Sequence, residues 1–216
     1  MSKKTDPFAI ELTPELIIRA YQAGIFPMAE DASSPDLFWV SPRMRGVMPL
    51  DGFHVSKSLR KALKQHSFSI RVDSDFDAVI EGCATEGEDR DSTWIIPTIR
   101  KLYGELYRRG YVHTVEVWDG DDLVGGLYGL SLGAAFFGES MFHRRTNASK
   151  IAMAHLIARL NAGGYRLLDT QFVTDHLQSL GGIEIAREVY EVQLAEALLH
   201  KGDYFDITVL IMKQPP

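Results

Sequence analysis

Two short apolar runs, Phe136-Phe137-Gly138-Glu139 and Leu167-Leu168-Asp169-Thr170-Gln171, each end in polar side chains, and a helix-length segment lies between them. Short apolar runs with such ends read as buried strands that stop at a pocket or at solvent. Residues two apart on a strand point the same way, so Asp169 and Gln171 are expected to face one space together. The first run delivers Glu139 to a pocket edge and passes through the basic turn His143-Arg144-Arg145. Asn147 is expected to cap a helix over 148–162 that Gly163-Gly164 ends.

The rest of the chain alternates helices and strands without repeat or low-complexity linker. Thr13 followed by Pro14 predicts a capped helix ended by Gly24. A basic amphipathic helix is predicted over 56–65, a strand over 67–72, and a helix over 74–84 capped by Ser74. A helix over 99–109 is closed by Gly110. Strands over 112–118 and 123–130 are joined by the turn Asp119-Gly120-Asp121, so they form a hairpin. Gly125, Gly126 and Gly129 sit inside a strand pattern, where a bulge or close backbone approach explains them. Strands over 134–141 and 165–169, a helix over 186–199 and a last strand over 206–212 complete an α+β layout with a mixed sheet. The polar loop 87–92 sets the expected boundary between a small N-terminal α/β domain (1–90) and a larger domain (91–216).

With 45% hydrophobic and 24% charged residues among 216, the chain can bury a core. It lacks an apolar run long enough for a membrane span and its start lacks a secretory core, so the expectation is a cytoplasmic protein without a membrane partner. Cys83 is the single cysteine, which excludes an intrachain disulfide and a thiolate cluster. The seven histidines show no zinc-type spacing, and neither metal nor cofactor is expected. The net charge of -6 is uneven: residues 41–71 hold seven Lys or Arg against Asp51, while 72–92 hold eight acids against Arg90. Such blocks can leave a basic face, and a local field attracts phosphate. Arg43, Arg45, Arg60, Lys61 and Lys64 are the candidate RNA-phosphate contacts.

Several segments carry a resemblance in register: Tyr21-Gln22-Ala23-Gly24-Ile25-Phe26-Pro27-Met28, Trp39-Val40-Ser41-Pro42-Arg43, Thr93-Trp94-Ile95, Phe137-Gly138-Glu139-Ser140-Met141-Phe142 and Asp169-Thr170-Gln171 with Asp175-His176. They resemble the bacterial leucyl/phenylalanyl-tRNA-protein transferases from roughly Tyr21 to Ala197. The element order also resembles the acyltransferase fold of the acetyl-CoA-dependent N-acetyltransferases. The family resemblance implies transfer of Leu or Phe, less readily Met, from aminoacyl-tRNA to proteins beginning with Arg or Lys, which marks them for degradation. A monomer is expected. Two rivals remain: a tRNA- or degron-binding module without catalysis, and a CoA-dependent N-acyltransferase. The turn before the 148–162 helix has the charge for a CoA pyrophosphate but not the glycines.

The resemblance also implies roles. Trp39 and Trp94 stack the terminal adenosine of the tRNA, and the Tyr103 hydroxyl reaches the same nucleotide. Leu127, Phe136, Met141, Leu156, Leu160 and Leu168 line the pocket for the donor side chain. Glu139 accepts hydrogen bonds from the donor α-amino group. Asp169 orients Gln171 against the attacking amine and supplies negative potential, since a neutral amide is too weak to act as a base. Thr174 stands where asparagine is common in the family, and Leu156 and Leu160 where an aromatic often appears.

Overall fold

The computed structural model describes residues 12–29, 37–65, 67–85 and 95–205. Thr13 accepts a hydrogen bond from the Leu16 N–H at 3.2 Å and starts helix α1 (Pro14–Gln22), where the missing N–H of Pro14 costs nothing. Strands β1 (Phe26–Ala29) and β2 (Leu37–Val40) then pair as a separate antiparallel ribbon. Next come β3 (Met44–Val47), α2 (Lys57–Gln65), β4 (Ser69–Arg71), α3 (Phe76–Thr85) and α4 (Pro97–Arg108). The expected hairpin is β5 (Val112–Asp119) with β6 (Asp122–Leu132), followed by β7 (Ala135–His143), α5 (Ala148–Ala162) and β8 (Leu167–Gln171). Helix α6 (Asp175–Ser179), β9 (Ile183–Ala186) and α7 (Arg187–Leu198) follow. The strand expected over 206–212 lies outside the described residues.

Seven strands form one sheet in the order β4-β5-β6-β7-β8-β3-β9. Every neighbouring pair is antiparallel except β7 and β8, which α5 links and which run parallel through Ala135↔Leu167, Phe136↔Leu168 and Phe137↔Asp169. The α+β class with a mixed sheet is therefore as expected. Strands β3 and β4 come from before residue 90 and belong to this same sheet, so that position does not divide it.

Helices cover both faces, because the period of two sends alternate strand residues into two apolar layers. Ile17, Tyr21, Val79, Leu106, Phe137 and Leu194 belong to one layer; Leu59, Val115, Val117, Leu127, Ile151 and Leu156 belong to the other. Cys83 is buried on α3 in the first layer.

Two caps differ from expectation. The Ser74 hydroxyl goes to the buried Glu116 carboxylate, which also accepts from the Ser74 and Asp75 N–H groups, Thr114 Oγ1 and Trp118 Nε1. Burial raises the Glu116 pKa, but these donors more than reverse it, and the net direction is down. Asp75 takes over the cap, accepting from the Ala78 N–H at 2.9 Å. Asn147 makes no side-chain cap bond; it adopts φ +68° and supplies the left-handed turn into α5 instead.

Candidate active site

A single extra residue in β7 opens the site. Tyr128 pairs with Ser140 and Gly129 with Gly138, which leaves Glu139 as a β-bulge. A bulge bends its strand and re-aims a side chain. Gly129 is required opposite it: a Cβ there would lie 2.3 Å from Phe136 Cε1 and 2.4 Å from the Phe137 carbonyl oxygen. The glycine signal inside the strand pattern thus marked a real bulge. β7 leaves β8 after the Phe137↔Asp169 pair, whereas β8 stays with β3 through Gly46↔Gln171. A cavity of about 650 Å³ is lined by Gly138 to His143 of β7 and by Leu168, Thr170, Gln171 and Phe172 across from them.

The apolar part of its wall comes from Leu127, Met141, Met153, Leu156, Leu168 and Leu177. Half-buried Glu139 lies on the polar lip. Its Oε1 accepts from Tyr21 Oη at 2.8 Å and its Oε2 from Tyr103 Oη at 3.2 Å, while the two hydroxyls sit 2.5 Å apart. Burial pushes the Glu139 carboxyl up to about 8, against the lowering effect of the two tyrosine bonds. The phenols of Tyr21 and Tyr103 are both raised, chiefly by burial and then by the Glu139 charge.

Asp169 is completely buried and does not line the cavity. Arg45 Nε is 2.9 Å from its Oδ1, Arg45 Nη2 is 2.7 Å from its Oδ2, and Tyr190 Oη donates to Oδ2 at 2.7 Å. Burial lowers the Arg45 pKa, but the bonds and charge of Asp169 outweigh it and the net direction is up. Asp169 Oδ1 also accepts from the backbone N–H of Gln171, at 2.8 Å. Gln171 adopts φ +58°, which breaks the strand's alternation. Its side chain lines the cavity and its buried Nε2 has no hydrogen-bond partner.

The family profile described as Leucyl/phenylalanyl-tRNA protein transferase matches residues 47–195, and its N-terminal domain profile matches residues 10–43. A leucyl/phenylalanyl-tRNA-protein transferase of Rhodopseudomonas palustris (strain HaA2) is 56% identical over 193 residues, 89% of this chain and 86% of the relative. The chain belongs to the leucyl/phenylalanyl-tRNA protein transferase family. It is thus an aminoacyltransferase. Among solved structures, L-PGS from Bacillus licheniformis is similar at a TM-score of 0.39 and 10% identity over 76% of this chain and 55% of that one, too distant to inform the chemistry.

Within this transferase the structure brings together only part of the expected site. Leu127, Met141, Leu156, Leu168, Glu139 and Gln171 line one cavity. Phe136 and Leu160 do not: both are fully buried in the sheet–α5 layer, with Phe136 stacked on Tyr204. Tyr103 is also fully buried, and its hydroxyl is engaged by Tyr21 and Glu139 rather than presented to a nucleotide. Asp169 and Gln171 do not face one space; the positive φ of Gln171 separates them.

Arg45 is the main correction among the basic residues. At 1% exposure and paired with Asp169 it cannot meet a phosphate. Arg43 is exposed, as are Arg60, Lys61 and Lys64 on α2, which buries Leu59 on its inner side. Trp39 is 38% exposed on β2, opposite Pro27, itself a cavity residue. Trp94 lies outside the described residues. Thr174 lines the cavity and caps α6, accepting from the Leu177 N–H at 3.3 Å.

Sequence reasoning missed the Arg45, Tyr190 and Tyr21 partners, since nothing local announces a bond across 124 residues. It also missed β1, whose Phe26 and Met28 line the cavity. Among the described residues, no cluster of His, Cys, Asp or Glu suits a metal ion, and no helix is long and apolar enough to cross a membrane.

Proposed function

We propose that the protein transfers Leu or Phe, and less readily Met, from aminoacyl-tRNA to the N-terminal Arg or Lys of acceptor proteins, creating a degradation signal. The cavity supports this reading: one apolar wall stands beside a carboxylate and an unpartnered amide on a backbone held in place from behind. An apolar wall accepts side chains by shape, which suits Leu, Phe and Met together.

In the reaction the acceptor's neutral α-amine attacks the ester carbonyl carbon. The C–N bond forms, the C–O bond to ribose breaks, and the amine proton ends on the ribose oxygen, directly or through water. Gln171 meets the reacting atoms with an amide N–H that the protein leaves unbonded, suited to the carbonyl oxygen as it gains charge. Asp169 is a positioning residue: with Arg45 and Tyr190 it fixes the Gln171 backbone N–H, and so the turn that aims this amide. Glu139 receives the donor α-amino group, whose positive charge offsets what burial costs the carboxylate. Holding both reactants in this geometry supplies several kcal/mol of the barrier.

The first ninety residues contribute to tRNA binding, with Trp39 stacking a base and Arg43, Arg60, Lys61 and Lys64 meeting phosphates, and Trp94 just beyond them stacks with Trp39 on the terminal nucleotide. The enzyme works as a monomer in the cytoplasm, where aminoacyl-tRNA is available. The test is to incubate it with leucyl-tRNA and a peptide beginning with Arg and look for the added leucyl mass. Transfer from leucyl-CoA but not from the tRNA would contradict the proposal.

A further inference from the structure

Among the described residues, no strand pairs with one edge of β7 beyond Phe137. On one side it is laddered to β6 as far as Gly125↔His143, but its other side is paired with β8 only through Phe137. The six residues from Gly138 to His143 all line the cavity, although successive side chains of a strand point to opposite faces. A strand that meets a cavity with every residue meets it edge-on. Its alternate N–H and C=O groups, those not used toward β6, therefore point at the space that β8 vacates.

Two further observations bear on what fills that space. Ser140 Oγ, Thr170 Oγ1 and Gln171 Nε2 are buried without a hydrogen-bond partner, in residues 8%, 9% and 8% exposed, one from β7 and two from β8. Buried polar atoms are rarely left unbonded, so the split suits a chain with polar groups on both sides. The charge is one-sided: among the described residues lining the cavity, Glu139 is the one carboxylate, and there is no Lys or Arg. A donor α-amino group and an acceptor beginning with Arg or Lys are compatible with this lining, whereas an RNA phosphate is not.

We propose that the acceptor's first residues bind as an added strand on the open edge of β7, parallel to it, in the place left by β8. This rests on the function proposed above and names how that site holds its acceptor. The N-terminal amine lies at the vertex, near Glu139 and Gln171, and the peptide leaves toward His143. Backbone pairing of this kind reads no side chain beyond the first, so acceptors of unrelated sequence fit alike. In a parallel pair one residue bonds the neighbouring strand with both its N–H and C=O while the next faces away.

The experiment is a backbone scan. Peptides beginning with Arg carry a single N-methyl group on the amide of residue 2, 3, 4 or 5, and transfer of Leu from leucyl-tRNA is measured for each. Alternate positions should lose roughly tenfold or more in kcat/KM, the size of one hydrogen bond, while the intervening ones stay within about twofold. Donor use should be unaffected, read as the KM for leucyl-tRNA. An unmethylated peptide that is a good substrate, with all methylated forms within about twofold of it, would overturn the added strand while leaving the transferase reading intact. Equal losses at every position would also overturn it, since they would report bulk rather than pairing. An unmethylated peptide that is never modified would overturn the underlying reading and this inference with it.

Discussion

Arg45 and Asp169 lie 124 residues apart and form a two-pronged ion pair, Nε to Oδ1 at 2.9 Å and Nη2 to Oδ2 at 2.7 Å, with both side chains out of contact with solvent. The pair ties β3 to β8, and through the Gln171 N–H it reaches a residue that lines the cavity and whose amide Nε2 has no hydrogen-bond partner. The Asp169 carboxylate is enclosed by these bonds and by that of Tyr190 and does not line the cavity. On the function proposed above, its effect on transfer is expected to pass through Gln171.

Removing one member of such a pair leaves a buried charge. Asp169→Ala is expected to lower unfolding free energy by about 3–5 kcal/mol, measured by urea denaturation. Gln171→Ala should leave stability nearly unchanged and still slow transfer strongly. Equal stabilities for the two variants would mean that the ion pair contributes nothing to the fold.

Asp169→Asn should also slow transfer. Combined with Gln171→Ala it should cost little more than the worse single change, because groups acting as one unit give non-additive losses. Losses that multiply in the double variant would make Asp169 an independent contributor.

Glu139 gives a pH signature. Its folded pKa, about 8, lies above the ordinary carboxylate value near 4.5, so the folded protein holds a proton that the unfolded chain has released. Stability from this group is present below the unfolded value and is lost as pH rises through about 8. The melting temperature of Glu139→Gln should therefore fall less than that of the parent between pH 5 and 9, a window chosen to bracket roughly that range. Parallel curves would show that burial does not raise this carboxyl.

The cationic face of α2 should act through phosphate. Changing Arg60, Lys61 and Lys64 together to Gln is expected to weaken tRNA binding and to flatten the plot of log affinity against log salt by roughly one unit for each phosphate no longer neutralised. An unaltered slope would make this face a solvated surface.

Trp39, exposed on the ribbon whose other strand lines the cavity, should matter to the nucleic acid and not to folding. Trp39→Ala is expected to raise KM for aminoacyl-tRNA by an amount equivalent to roughly 1–3 kcal/mol. A fall in melting temperature with unchanged KM would return it to a structural role.

Much of this architecture was legible because it is local. Thr13 before Pro14, the Gly120 turn and the two apolar runs place α1, the hairpin, β7 and β8 to within a few residues. Strands β3 and β9 were not legible: each is four residues long, and they form only because β8 offers an edge that Met44–Val47 completes. The site divides in the same way. Glu139, Gln171 and four of the six apolar residues expected from run ends and resemblance line one cavity. Arg45 was misread because a basic residue within a basic block carries no mark of its buried partner. Phe136 and Leu160 were misassigned because an apolar side chain has the same sequence signature in a pocket wall and in the core. The separation of Asp169 from Gln171 rests on one positive φ, which a glutamine does not announce.

The most direct test of the account is one reaction, read by mass spectrometry, containing leucyl-tRNA and peptides that differ only in their first residue. The account predicts one added leucyl residue on the peptides beginning with Arg or Lys, none on their N-acetylated forms, and strongly slowed addition when folded Gln171→Ala replaces the parent enzyme. Leucyl mass on no peptide, on all peptides regardless of the first residue, or undiminished with Gln171→Ala would contradict it.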